Sequence, residues 1–205
     1  MNNRIKELFL EFIWEPSDIH KHLPFLYNVG LFSDTIVELG VREGRSTSAF
    51  LAAIQKTNGT LYSVDINPME GKIEELSKDV INGRYQMNGK WTFIQEDDLL
   101  WINRCPNDVD LIFIDTDHTY QQTFNELNLY KTKLSKNGLF ICHDTEQPVN
   151  HDSVNPIKSA INMFLISAGF GMNMINYPEN NGLAIIYPRH FLVKWDSMRD
   201  LCSMI

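Results

Sequence analysis

The sequence is poor in cysteine, with three in 205 residues and no Cys-x-x-Cys pair. Small disulfide-rich domains and structural zinc sites need several closely spaced cysteines. We therefore expect a fold that is stabilised by a hydrophobic core, and a chain of this length can bury a sizeable core as one domain.

Long apolar runs and basic charge are also lacking. No segment approaches the roughly 20 apolar residues that span a bilayer, and the stretch after Met1 is amphipathic, unlike a secretion signal. Asp and Glu outnumber Lys and Arg by 26 to 18, which gives a formal net charge of −8. Nucleic-acid binding needs clustered Lys and Arg. The sequence thus predicts a cytoplasmic protein with neither a membrane nor nucleic acid as a partner.

Short apolar runs alternate with helical stretches through the middle of the chain. The pattern predicts strands over 35–39, 61–64, 91–94, 110–114 and 139–142. It predicts helices over 46–56, 70–81, 99–104 and 121–134, the last closed by Asn137-Gly138. Such an order favours an α/β class, a Rossmann-like doubly wound and mostly parallel sheet with helices on both faces.

The two ends of the chain complete this architecture. Two helical stretches, 4–14 and 19–28, come first, and two β-like runs, 171–177 and 183–187, come near the end. The runs predict a C-terminal antiparallel hairpin that brings the sheet to seven strands. We divide the single domain into an N-terminal helical lid (1–30), a main body (31–190) and a C-terminal tail (191–205). The apolar N-terminal helices could also pair two subunits in a homodimer.

The turn after the first strand is rich in glycine. It reads Glu38-Leu39-Gly40-Val41-Arg42-Glu43-Gly44-Arg45-Ser46. Gly40 and Gly44 would let the backbone pass close to a ligand where a Cβ would clash. The turn is not Gly-x-Gly-x-x-Gly, and Glu43 is unfavourable next to a pyrophosphate, so dinucleotide binding is disfavoured.

Acids mark the ends of three successive strands. The carboxyl ends of parallel strands meet at one edge of the sheet, where open α/β sheets bind ligands. Glu38 could face the positive end of a ligand that carries an amino group and a sulfonium. Asp65 could accept hydrogen bonds from both hydroxyls of a ribose, and Asp97 from an adenine amino group. The three acids predict a site for a positively charged nucleoside.

Taken as a set, these motifs resemble class I S-adenosylmethionine-dependent methyltransferases. The resemblance covers about residues 35–145. It is closest to a small-molecule O-methyltransferase-like group with the motifs IDGDHSY and GGxxxxHDT, which here read IDTDHTY and NGLFICHDT. Thr116 stands where the group has glycine, and Glu96 where glycine commonly precedes the adenine-site acid.

The resemblance implies a methyltransferase domain over 31–190 that moves a methyl group from S-adenosylmethionine to a hydroxyl of a small molecule. Its implied cofactor-binding residues are Glu38, Gly40, Gly44, Ser46, Asp65, Asp97 and Asp115.

Histidines and acids follow the fourth and fifth strands. In related O-methyltransferases, carboxylates at these strand ends bind a divalent metal. The resemblance therefore implies Mg²⁺ or another divalent metal on Asp115 and Asp144, with His143 as a further ligand or Thr145 nearby. His118 occupies the offset of a lysine base in catechol-type relatives, and a neutral imidazole can accept a proton near pH 7. His118 and His143 are thus the predicted catalytic residues.

Several alternatives stay open at this point. The histidines and acids could have structural roles, with His118 capping the next helix and Asp115 and Asp144 orienting loop amides. Methylation could also proceed without a metal, with His118 or His143 as the base. A nicotinamide-dependent oxidoreductase, an iron-dependent hydroxylase and a non-catalytic Rossmann-like binding module are further interpretations. The identity of the acceptor is not legible, because the segments that would select it carry no motif.

Overall fold

The computed structural model describes residues 4–147, 154–168 and 171–191. A seven-stranded sheet lies at its centre, with the strand order β3-β2-β1-β4-β5-β7-β6. The strands are β1 (Thr35–Leu39), β2 (Thr60–Asp65), β3 (Lys90–Gln95), β4 (Val109–Ile114), β5 (Leu134–His143), β6 (Met172–Tyr177) and β7 (Leu183–Pro188). Strands β1 to β5 are parallel, and β7 runs antiparallel to both β5 and β6. The predicted Rossmann-like sheet and its C-terminal hairpin are confirmed.

Helices cover both faces of the sheet. They are α1 (Arg4–Trp14), α2 (Leu23–Gly30), α3 (Arg45–Thr57), α4 (Gly71–Ile81), α5 (Asp98–Trp101), α6 (Tyr120–Tyr130) and α7 (Pro156–Ser167). One core cluster joins α1 to α4 with strand residues such as Ile36, and the other joins α5 to α7 with residues such as Val37. Successive side chains of a strand point to opposite faces. A strand that is covered on both faces must therefore be apolar throughout, which is why the strands read as continuous apolar runs.

Strand β5 is longer than the sequence predicted. Helix α6 ends at Tyr130, and Asn137-Gly138, expected to close it, lie within β5. A Cβ at Gly138 would lie 2.5 Å from the carbonyl oxygen of Val109, and the β4–β5 register shifts at the same place. The predicted helix end was wrong because close approach of the neighbouring strand, not a helix cap, requires this glycine.

The N-terminal helices belong to one helical layer of the sheet. Both α1 and α2 pack on α3, and the buried face of α1 consists of Ile5, Leu8, Phe9 and Phe12. The apolar face that we considered for a homodimer is thus covered within the chain. Residues 192–205, most of the predicted tail, lie outside the described part. No helix among the described residues combines the length and apolar character that a membrane span requires.

Candidate functional site

Two adjoining cavities lie along the carboxyl edge of the parallel strands. The first, which we call the β3-side cavity, has a volume of about 490 Å³ and is lined by residues that include Asp65, Asp97 and Asp98. The second, the β5-side cavity, has a volume of about 400 Å³ and is lined by residues that include His118 and Asp144. Their shared wall consists of Gly40, Val41, Arg42, Asp115 and Thr116. The concave surface therefore lies at the sheet edge that the sequence predicted.

Gly40 allows the turn after β1 to cross the end of β4. Its φ is +87°, and a Cβ there would lie 2.0 Å from the carbonyl oxygen of Asp115. Gly44 also has a positive φ, but it is absent from the described residues that line either cavity. A Cβ on Gly44 would lie 2.4 Å from the side chain of Ile73 in α4. Helix packing therefore requires this glycine, and its contact with a ligand stays a prediction.

Asp65 fixes the conformation of the same turn. Its Oδ2 accepts hydrogen bonds from the backbone amides of Val41 (2.8 Å) and Arg42 (3.1 Å), and its Oδ1 accepts one from Asn67 (2.8 Å). Arg42 has a φ of +49°, which is unfavourable for a residue with a Cβ. A carboxylate offers about four acceptor positions, so Asp65 retains about one, on Oδ1, for a ligand hydroxyl in the β3-side cavity.

Asp97 is the N-cap residue of helix α5. Its Oδ1 accepts the backbone N–H of Leu99 at 2.8 Å, as an N-cap residue does. Glu96, which replaces the glycine of the resembling group, forms an ion pair with Arg104. Both Glu96 and Asp97 line the β3-side cavity.

Glu38 lies beneath the turn instead of at the cavity. It is fully buried, and it accepts hydrogen bonds from Ser46 (2.6 Å), from Thr47 (2.9 and 3.0 Å) and from Ser63 (2.6 Å). Burial raises the pKa of Glu38 to about 7, although the three hydroxyls act in the opposite direction. The predicted exposure of Glu38 to a ligand is therefore corrected. Ser46 lines the β5-side cavity, but it donates its hydroxyl proton to Glu38.

Asp115, His118 and Asp144 converge in the β5-side cavity. The Nε2 of His118 lies 2.8 Å from Asp144 Oδ2 and 3.7 Å from Asp115 Oδ1. One ligand atom from each of the three residues lies within 4.8 Å of the other two, an arrangement that could hold a metal ion. Asp144 is 2% exposed, and Asn181 in the β6–β7 hairpin donates to its Oδ1 at 3.0 Å. Sequence motifs did not predict a site role for Asn181.

His143 is enclosed below these residues. Its Nδ1 lies 3.3 Å from Asp115 Oδ1 and 3.4 Å from Asp144 Oδ2, and its Nε2 lies 3.1 Å from the carbonyl oxygen of Asp18. Both ring nitrogens thus face acceptors, which requires the protonated ring. The structure corrects two expectations: His118, not His143, joins the group that could bind a metal, and His143 has no ring nitrogen left for an acceptor hydroxyl.

The negative charges of Asp115 and Asp144 are balanced by the positive charges of His118 and His143. Burial disfavours ionisation of Asp115 and Asp144, but hydrogen bonds from His118 and His143 outweigh it and lower the pKa of both carboxyls. Bonds to the same carboxylates raise the pKa of His118 to about 10, and that of His143 to about 11 despite its burial. At pH 7 the cluster therefore holds two carboxylates and two imidazolium ions. In this state His118 carries its proton and cannot accept another.

Residues from the N-terminal segment close the outer side of the β5-side cavity. Ser17, Asp18 and Ile19, between α1 and α2, line it. Asp18 faces Arg42 across the cavity, with 4.0 Å between Oδ2 and Nη1. Sequence patterns do not predict this contact, because the two residues lie on unrelated segments.

The comparisons with known proteins agree with this geometry. A family described as a methyltransferase domain matches residues 37–145. "Uncharacterized protein R132" of Acanthamoeba polyphaga mimivirus is 29% identical over 176 residues, which cover 80% of this chain and 78% of that protein.

Two solved structures share the fold. The O-methyltransferase from Bacillus cereus in complex with SAH (S-adenosylhomocysteine) is 14% identical, with a TM-score of 0.62 and 92% of each chain covered. The O-methyltransferase TomG from Streptomyces achromogenes, in complex with SAM, is 10% identical, with a TM-score of 0.62 and coverage of 92% of this chain and 90% of that one.

Proposed function

The chain belongs to the methyltransferase-domain family, and we propose that it transfers a methyl group from S-adenosylmethionine to a hydroxyl of a small molecule, assisted by a divalent cation. The membership confirms the family predicted from the sequence. It favours methyl transfer over the nicotinamide-dependent oxidoreductase and the iron-dependent hydroxylase. The proposal depends on one observation: an acid-lined cavity and a histidine–aspartate cavity share a wall formed by the turn after β1 and the end of β4.

The β3-side cavity suits the nucleoside part of the methyl donor. Its volume of about 490 Å³ lies within the range of roughly 300–1,000 Å³ that small-molecule sites occupy. Asp65 would accept a ribose hydroxyl through Oδ1, and Asp97 would accept the adenine amino group through the oxygen that does not cap α5. Solved structures of the same fold contain S-adenosylhomocysteine or S-adenosylmethionine, which supports this assignment.

The shared wall suits the sulfonium. Asp115 is part of this wall and is ionised, since its pKa is lowered. An opposite charge a few ångströms away attracts a cation even in a partly wet cleft. A donor that extends from the β3-side cavity across the wall would therefore bring its positive sulfur toward the β5-side cavity.

The β5-side cavity would hold the acceptor. A sulfonium is already activated for methyl transfer, so the protein has to align the acceptor oxygen and remove its proton. His118 is the side chain placed for that proton, because it is 38% exposed in the cavity while His143 is enclosed. For His118 to act as a base, its interactions with Asp115 and Asp144 must first be weakened.

The carboxylates of Asp115 and Asp144, with His118 beside them, fit a divalent cation. Carboxylates suit Mg²⁺ or Mn²⁺, and the buried Asp144 and the partly buried Asp115 need positive partners in any case. A bound cation would lower the pKa of the acceptor hydroxyl. The carboxylates of Asp115 and Asp144 stabilise both the cation and the proton on His118, so binding of the metal favours a neutral His118.

Calorimetry with S-adenosylhomocysteine tests the donor site. We expect micromolar-range binding, about −8 kcal/mol, which Asp65→Ala weakens at least about tenfold because both the ribose contact and the turn are lost. Asp34→Ala is the matched control, since Asp34 is exposed at the opposite edge, next to the start of β1. Unchanged binding in Asp65→Ala would contradict the proposed donor site.

Titration with Mn²⁺, followed by electron paramagnetic resonance, tests the metal site. Wild type should bind one ion, and Asp115→Asn should lose it.

The His118–Asp144 contact of 2.8 Å supports a second candidate, methylation with a His–Asp base and no metal. Absence of Mn²⁺ binding in the wild type would favour that candidate.

A further inference from the structure

Two buried acids lie between α5 and α6, outside the contacts that the proposed function uses. Glu126 is fully buried in α6, and Asp98, the first residue of α5, is partly buried. Among the described residues, Glu126 Oε2 and Asp98 Oδ2 are buried oxygens without a hydrogen-bond partner. A buried polar atom without a partner costs free energy. Their presence therefore needs an explanation.

The other oxygens of the two carboxyls are connected to one another and to the site. Gln122 donates through Nε2 to Glu126 Oε1 (2.9 Å) and to Asp98 Oδ1 (3.1 Å). Thr116 donates its hydroxyl proton to Glu126 Oε1. Thr116 is part of the wall shared by the two cavities, and Asp98 and Gln122 line the β3-side cavity. The acids thus stand directly behind the proposed donor site.

One proton between the two carboxyls satisfies both free oxygens. Gln122 bridges the two side chains, and their carboxyls interact with each other. Two carboxylates are both acceptors, so they can hydrogen-bond only if one carries a proton. Burial, followed by the charge of Asp98, raises the pKa of Glu126 to about 8. Burial, followed by the charge of Asp97, raises that of Asp98 to about 6.

The neighbouring groups do not compete with Glu126 and Asp98 for this proton. From the end of β4, the hydroxyl of Thr116 contacts Glu126. At the start of α5, the carboxylate of Asp97 acts on Asp98 through its charge. The remaining titratable groups nearby are Tyr130 of α6, Cys142 of β5 and Cys105 after α5. Burial raises the pKa of all three, so they stay neutral between pH 6 and 9.

We propose that Glu126 and Asp98 share one proton and, through Thr116, position the wall between the two cavities, so that binding of the methyl donor weakens as this proton is lost. Glu126 is therefore a positioning residue. Loss of the proton places two negative charges together in a buried space, and their repulsion acts on Thr116 and Asp98. The binding part of this inference rests on the proposed function.

Thr116 supplies the link between Glu126 and the wall. It stands where the resembling group has glycine, and a glycine has no hydroxyl to donate to Glu126. Gln122 and Glu126 are four residues apart on α6 and hence on one face of the helix. One face of α6 therefore carries both the bridging amide and the acid.

The test compares three variants with wild type between pH 6 and 9, by calorimetry with S-adenosylhomocysteine and by thermal unfolding without ligand. In wild type, Kd should rise about tenfold between pH 6.5 and 9, and Tm should fall over the same range. Glu126→Gln should flatten the Kd profile and make the Tm profile shallower, because its amide carries a permanent donor to Asp98. The Tm slope that remains belongs to Glu38, His118 and His143, whose pKa values are also raised. In Thr116→Val, Tm should still depend on pH as in wild type, but Kd should no longer depend on pH. The exposed Glu75→Gln should behave as wild type.

Each outcome decides the inference. Titration of the ligand itself contributes equally to every variant, so the comparison removes it. Glu126→Gln with the wild-type slopes in both profiles overturns the shared proton, and Thr116→Val with the wild-type Kd slope overturns the link to the wall. If Glu126→Gln does not fold, Asp98→Asn places the amide on the other partner and must make the Tm profile shallower than that of wild type. Failure of wild type to bind the ligand at any pH contradicts the proposed function, whereas the unliganded Tm profiles still judge the shared proton.

Discussion

The two cavities hold their acids in different ways. In the β3-side cavity, Asp65 and Asp97 accept hydrogen bonds from backbone amides, which neither titrate nor move away. In the β5-side cavity, Asp115 and Asp144 face the rings of His118 and His143, which carry exchangeable protons. Acids held by amides keep a fixed shape, as recognition of a constant nucleoside requires. Acids held by imidazoles can exchange a proton for another cation, as catalysis requires.

The shared wall offers the most severe test of this division. Gly40→Ala would place a Cβ 2.0 Å from the backbone of Asp115, at a φ of +87°. Backbone atoms cannot yield as a flexible side chain does, so we expect about 3 kcal/mol of destabilisation or more, with binding of both S-adenosylhomocysteine and Mn²⁺ lost. Urea unfolding and the two titrations measure this.

A second glycine provides the control for backbone strain alone. Gly71 has a φ of +64°, but a Cβ there would meet no atom within 4 Å. Gly71→Ala should therefore cost about 1 kcal/mol and leave both ligands bound. If Gly40→Ala lost one ligand and kept the other, the cavities would not depend on a common wall.

Removal of one acid from each cavity tests the comparison more directly. Asp144→Ala leaves the buried His143 without one of its two carboxylates, and we expect it to destabilise the fold by about 3 kcal/mol. Asp65→Ala leaves amides that water can reach at the rim of the cavity, so about 1–2 kcal/mol is expected. Chemical denaturation at pH 7 gives both values. Equal losses would mean that the partner of an acid, amide or imidazole, does not set its contribution.

The strands and the site-bearing edge could be predicted because their signals are local. Each parallel strand is an apolar run, and Asp65, Asp97, Asp115 and Asp144 all follow or end such runs. The position of Glu38 could not be predicted, because it depends on register. Glu38 pairs with Ser63, two residues before Asp65. It therefore lies roughly 6–7 Å deeper along the strand direction.

The roles of the two histidines depend on distant segments. His143 is closed off by the carbonyl oxygens of Asp18 and Asn180, 125 and 37 residues away along the chain. Sequence motifs place His118 and His143 at adjacent strand ends, but they contain no information on which ring the loops cover. The exposed ring could be identified only from the folded chain.

Glu38 is a third kind of acid, held by neutral hydroxyls, and it refines the comparison. Its pKa is about 7 in the folded protein, above the ordinary value of 4.5, so the folded state binds a proton that the unfolded state releases. Its contribution to stability is therefore present below about pH 4.5 and is lost as the pH rises through 7.

Glu38→Gln should remove this dependence, because hydroxyls can both donate to and accept from an amide. The difference in unfolding free energy between wild type and Glu38→Gln should change by about 2 kcal/mol between pH 5 and 7, while Glu126 contributes equally to both proteins. Urea titrations at several pH values measure the difference, with Glu75→Gln as the exposed control. A difference that stays constant with pH would mean that Glu38 is ionised in its hydroxyl pocket, and that hydroxyls hold a charge as firmly as backbone amides do.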